Sequence, residues 1–175
     1  RLKAELSKIK REPVLSSEVL RKSLLLNKNI KKVFFNGHGI VVKTNFIKSL
    51  KYHNLPFGEY EITISPAWTI KFKNLSFRFV EGHQHPHINS GGEPCLGQYI
   101  ELLQTLQNKP PTKEIIALLL NMLIDFLRNS NPTSAYKDEP TYFAGLTPIV
   151  YDMETIKYYS IIRKKLKELN LINKI

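Results

Sequence analysis

At Val33 the hydrophobic period of the chain shortens from helical to alternating, and the alternation recurs as far as Phe79. Successive side chains of a strand point to opposite faces, so a period of about 2 calls for strands with one buried and one wet face. Val33 to Phe35 and Ile40 to Val42 flank Asn36-Gly37-His38-Gly39, whose two glycines can supply positive φ in a hairpin turn. Tyr60, Ile62 and Ile64 alternate with charged or hydroxylated residues, as do Trp68, Ile70 and Phe72, and then Phe77 and Phe79. These runs predict an antiparallel β-meander of about four strands.

Helical spacing governs the text on either side. Leu2, Leu6 and Ile9 share a face until Pro13, and a second helix is expected from a Ser16 or Ser17 cap to about Leu26, with Leu20 and Leu24 on one side. Beyond the strands the chain is irregular from Gly82 to Gly97. Tyr99, Leu102, Leu103 and Leu106 then mark a short helix ended by Pro110-Pro111. Thr112 can cap the next helix, whose first turn holds Glu114 and which Asn131-Pro132 should stop. Its apolar residues run nearly all the way round, so it should lie against the sheet. A last helix is expected over about Met153 to Leu169, with Ile156, Tyr159, Ile162, Leu166 and Leu169 as its stripe. The expectation is α+β: a helical segment over 1–30, a core domain over 31–145 with helices packed largely on one face of the sheet, and a C-terminal helix over 146–175.

A chain of 175 residues is long enough to bury a core without staples. The net charge of +11 is mostly lysine, which lacks the bidentate fork that arginine uses to read guanine. With no arginine cluster and with aromatics in core-like alternation, the charge reads as a solvated face, and no specific nucleic acid is expected. Ile115 to Leu127, broken by Asn121 and Asp125, is too short to span a bilayer, so no membrane partner is expected. The single cysteine, Cys95, excludes an intramolecular disulfide and suits a reducing, cytoplasmic setting. A first residue of arginine, with no signal-peptide pattern, reads as a segment of something longer.

The irregular crossover, His83-Gln84-His85-Pro86-His87-Ile88-Asn89-Ser90-Gly91-Gly92-Glu93-Pro94-Cys95-Leu96-Gly97, holds three of the five histidines and the only thiol. Three readings of it stay open. His83, His85, His87 and Cys95 could bind zinc, since alternate residues of an extended segment face one side and imidazole with thiolate suits that metal. Cys95 could be a nucleophile, with the histidines as its surroundings. All four could instead be structural.

His85-Pro86-His87, then an apolar residue, a glycine-containing loop, and Cys95-Leu96 eight residues after His87, resembles the active-site segment of ubiquitin-conjugating enzymes. Asn131-Pro132 after a long helix is similar to that family's turn over its cysteine. The resemblance covers about Val33 to Tyr136. His87 stands where the family has asparagine, Gly97 where an acidic residue often follows Cys-Leu, and Thr133 and Ser134 where the eukaryotic enzymes have acids. In those respects the segment looks more like the divergent bacterial and phage branch.

The resemblance implies a UBC-like fold and an acyl transferase with no cofactor. Cys95 would accept a ubiquitin-like protein as a thioester and pass it to an amine. His87 would donate to the oxyanion or take a proton, while His85, Pro86, Asn131 and Pro132 would shape the loop. Ser134 and Asp138, with Glu139 beside it, would stand at the acceptor gate. The implied partners are a ubiquitin-like modifier, its activating enzyme, and a ligase or larger assembly, with Lys3, Lys8, Lys10 and Arg11 as a docking face. No helix start is expected at the thiol itself. The rival from another class is a catalytically silent member of the same fold, acting as a structural subunit.

Overall fold

The computed structural model of the chain describes residues 21–22, 24–36, 39–129 and 136–173. Four strands, β1 (Ile30–Asn36), β2 (Gly39–Thr44), β5 (Tyr60–Ile64) and β6 (Ile70–Asn74), form an antiparallel sheet in the order β1-β2-β5-β6. Two short strands, β3 (Ile47–Lys48) and β4 (Pro56–Gly58), pair with each other in the excursion between β2 and β5. The register puts Val33, Val42, Ile62 and Phe72 in one row across the sheet, all buried. The neighbouring row, Phe34, Val41, Thr63 and Lys71, points to the other face and none of it is buried. The period-2 text is therefore the sheet's inner and outer face. Gly39, at φ +115, closes the hairpin opposite Asn36, and a Cβ there would collide with the Ile64 carbonyl.

Two strand assignments change. Trp68 is not in β6: it occupies the turn before it at φ +59, its N–H donating to Ser65 O at 2.8 Å, with its side chain buried. Phe77–Phe79 forms β7, but it leaves the sheet and pairs with β8 (Leu146–Pro148) as a separate ribbon. Local alternation cannot say which partner a strand takes, and this partner lies far down the chain.

Among the described residues four helices follow the crossover: α1 (Ile100–Gln107), α2 (Lys113–Arg128), α3 (Glu139–Ala144) and α4 (Met153–Glu168). Thr112 caps α2 by accepting the Ile115 N–H, as its position suggests. Eight apolar residues of α2 are buried, and Phe126 meets Phe72 of β6 with ring centroids 5.6 Å apart, so this helix lies on the inner face of the sheet. At about 2 kcal/mol of transfer free energy for each such side chain, α2 is a principal source of core stability. It ends at Arg128, ahead of the Asn131-Pro132 pair. Only Leu106 of α1 is buried, and Leu102 faces solvent. In α4 the buried positions are Thr155, Ile162 and Leu166; Ile156 lies outside the stripe and Leu169 is the C-cap. Arg21 O accepts the Leu25 N–H at 3.0 Å in the last turn of the expected second helix, whose earlier part, with Leu20, lies outside the described residues, as does the whole of the expected first helix with Leu2, Leu6 and Ile9. No helix among the described residues is long and apolar enough to cross a membrane.

Candidate active site

The crossover is fastened to the sheet by a buried polar knot. Gln84 O accepts from Tyr60 Oη at 2.8 Å, Tyr142 Oη at 2.9 Å and Asn74 Nδ2 at 3.3 Å, while Gln84 Oε1 accepts the Asn74 N–H at 2.8 Å. Asn74 Oδ1 in turn takes the N–H groups of Ser76 and Phe77. Burial pushes both phenols above their ordinary range, which keeps them protonated and donating. Further on, the Phe72 N–H donates to Gly92 O at 2.9 Å, so the crossover lies along the outer edge of β6. Gly92 is needed there: at φ +82, a Cβ would stand 2.5 Å from Phe72 O.

His85 is wholly buried, its ring 4.4 Å from that of Phe57 and 5.8 Å from that of Phe126. Its Nδ1 accepts the His87 N–H at 3.0 Å, which places the ring proton on Nε2, and Nε2–H donates to Leu127 O at 2.8 Å. Desolvation lowers its pKa to about 3, so the ring is neutral. With both nitrogens engaged, His85 cannot ligate a metal. His83 packs instead between Phe79 and Tyr136, with ring centroids 5.8 Å from each. Among the described residues no three His, Cys, Asp or Glu side chains converge to hold an ion. The zinc set of His83, His85, His87 and Cys95 is therefore set aside.

What converges is the thiol and one histidine. The Cys95 N–H donates to His87 O at 2.7 Å, so the two ends of the eight-residue step are hydrogen-bonded to each other. Cys95 is half-buried, and His87 is nearly sealed, with its ring edge-on to Phe126 at 6.0 Å. Both line a narrow cleft of about 10 Å³, partly open to solvent, together with Leu96, Gly97, Gln98, Tyr99, Phe126 and Asn129. A short helical turn begins two residues past the thiol. Leu96 takes the N-cap position, without a side-chain capping bond, of a 3-10 turn over Gly97–Tyr99 that runs straight into α1, and Gly97 sits at φ +54, in the left-handed region that glycine adopts freely.

The gate is only partly within view. Asn131, Pro132 and Ser134 lie outside the described residues, as do Lys3, Lys8, Lys10 and Arg11. The chain returns at Tyr136 and Lys137, whose N–H groups both donate to Pro86 O, at 2.8 and 3.3 Å, so this segment does rest on the His-Pro-His turn. Asp138 has another task. Its carboxylate accepts the Thr141 N–H and caps α3, and the hydrogen bonding with Thr141 holds its pKa below the usual carboxylate range. Glu139 accepts from Ser49 Oγ at 3.2 Å.

Sequence reasoning passed over Asp125, Asn129 and Tyr99. Tyr99 Oη donates to Asp125 Oδ2 and Asn129 Nδ2 to Asp125 Oδ1, each at 2.7 Å. The only sign of this cluster was a carboxylate interrupting an apolar helix. No family model, curated protein or solved structure matches the chain.

Proposed function

We propose that this chain is a ubiquitin-conjugating-like domain of UBC-like fold that accepts a ubiquitin-like protein as a thioester on Cys95 and passes it to an amine. The observation carrying this reading is the 2.7 Å bond from Cys95 N–H to His87 O, which sets the only thiol at a cleft mouth beside an imidazole. The Cys95 sulfur attacks the incoming thioester carbonyl and the donor thiol leaves, so one acyl–sulfur bond replaces another and little activation is needed. In the second step an amine attacks the same carbon. A His87 ring N–H directed at the carbonyl oxygen would stabilise the oxyanion, a contribution of about 3 kcal/mol for one well-placed donor. His85 and Pro86 act through the loop that carries His87.

The partners of this reading are a ubiquitin-like modifier, its activating enzyme, and a ligase or larger assembly. Asp138 serving as a helix cap favours the silent structural subunit as the second reading, since it takes that carboxylate away from an acceptor gate. Incubation with a ubiquitin-like protein, its activating enzyme and ATP distinguishes them. The conjugating reading expects a reductant-sensitive adduct, which Cys95→Ser converts to a stable ester or abolishes. An adduct that survives in the Cys95→Ala variant, or none in the wild type, supports the silent subunit.

A further inference from the structure

We infer that Asn129, held by Asp125 and Tyr99, is the residue that receives the amine in the second step of the proposed transfer; this rests on the reading of Cys95 as the acyl carrier. Asn129 follows α2 as its C-cap and lines the same cleft as Cys95 and His87. Its Nδ2 donates to Asp125 Oδ1 at 2.7 Å and to Asp125 O at 3.2 Å. Both partners can only accept, so the orientation of the amide is set by chemistry: the nitrogen must face Asp125. With its amide protons committed to Asp125, the carbonyl oxygen is the end of the Asn129 side chain left for an incoming donor.

Asp125 is itself held from the other side by Tyr99 Oη at 2.7 Å. Burial and the Asp125 carboxylate raise the Tyr99 pKa to about 12, so the phenol remains a donor. The carboxylate is thus clamped between two donors, and its negative charge polarises the Asn129 amide so that electron density builds on its carbonyl oxygen. Such an acceptor suits a primary amine, whose N–H bonds become more acidic as nitrogen gains positive charge during attack.

In the step itself the neutral amine nitrogen forms a bond to the thioester carbon and the carbon–sulfur bond breaks. The electron pair leaves on Cys95 sulfur, and the proton lost by nitrogen ends on that thiolate, directly or through water. Asn129 moves no proton; it holds one N–H while the lone pair points at the carbonyl carbon.

The test loads Cys95 with a Gly-Gly-terminated peptide thioester and follows discharge per loaded cysteine to two acceptors, free lysine and 2-mercaptoethanol. The thiol offers no N–H to Asn129 and serves as the internal reference. Asn129→Ala should slow discharge to lysine by about tenfold while leaving discharge to the thiol within about twofold, and Tyr99→Phe should give a smaller loss of the same selectivity. Equal discharge to lysine in wild type and Asn129→Ala overturns the inference and leaves the carrier role of Cys95 standing. Equal slowing toward both acceptors also overturns it, by making Asn129 a prop of the cleft. A wild-type protein that takes no acyl group on Cys95 overturns both.

Discussion

His85 gives its Nδ1 to the His87 amide and its Nε2 proton to the Leu127 carbonyl, which ties the crossover to the end of α2. Burial lowers its pKa to about 3, whereas an unfolded chain titrates near the ordinary 6.5. The unfolded state therefore binds the proton first as pH falls. The contribution is complete above pH 6.5 and declines between 6.5 and 3, by at most about 5 kcal/mol. We expect the urea midpoint to fall over that range, and the His85→Gln variant to be less stable at pH 7 but to lose the part of the slope that belongs to the imidazole. Parallel pH profiles for the two proteins would contradict the neutral, buried ring. At this scale, the concentration of histidine around one cysteine was legible because it departs so sharply from lysine-rich surroundings. Gln84 and Asp125 were not: nothing in a glutamine among histidines, or a lone aspartate in an apolar helix, announces that three donors converge on the carbonyl of one and two on the carboxylate of the other.

Among the elements, strands with one buried face were read from alternation alone, since Ile40, Val42, Ile62, Ile64, Ile70 and Phe72 keep strict register and all point inward. Trp68 continues that alternation in sequence yet bends out of it at φ +59, because Ser65, Pro66 and Ala67 make a turn that a two-residue period cannot register. Phe77 and Phe79 were legible as a strand but not as a partner of Leu146–Pro148, a pairing that depends on where α3 delivers the chain. Asp138 belongs to the same lesson, since a carboxylate just ahead of Glu139-Pro140 is placed to cap a helix as well as to face a thiol. Asp138→Ala should cost about 1 kcal/mol, the usual worth of a cap, and alter lysine discharge from Cys95 by less than twofold. A loss of tenfold or more in discharge at unchanged stability would restore Asp138 to the gate.

At the scale of the whole molecule, the packing that joins the core to the site centres on one ring. Phe126 of α2 faces the rings of Phe72, His85, His87 and Tyr99 at 5.6, 5.8, 6.0 and 5.9 Å, linking the sheet, the brace, the imidazole and the cleft wall. Phe126→Ala should cost about 3–5 kcal/mol in denaturant unfolding and bring thiol reactivity toward that of an unfolded cysteine. A variant with wild-type reactivity would show that the site does not depend on this packing. The charge of +11, so prominent in composition, bears least on the centre: the described outer sheet face carries Lys32, Lys43, Lys71 and Lys73, while the cleft residues carry no lysine or arginine. Any cysteine exchanges with a thioester to some degree, so the central claim concerns rate. The most direct measurement is the second-order rate of acyl transfer from a Gly-Gly peptide thioester to Cys95 in the folded protein and in the same chain held in urea, corrected for the effect of urea on a free cysteine peptide. A folded protein that transfers at least tenfold faster, with the acyl group located on Cys95, is the expected result; a folded protein no faster than the unfolded chain would contradict it.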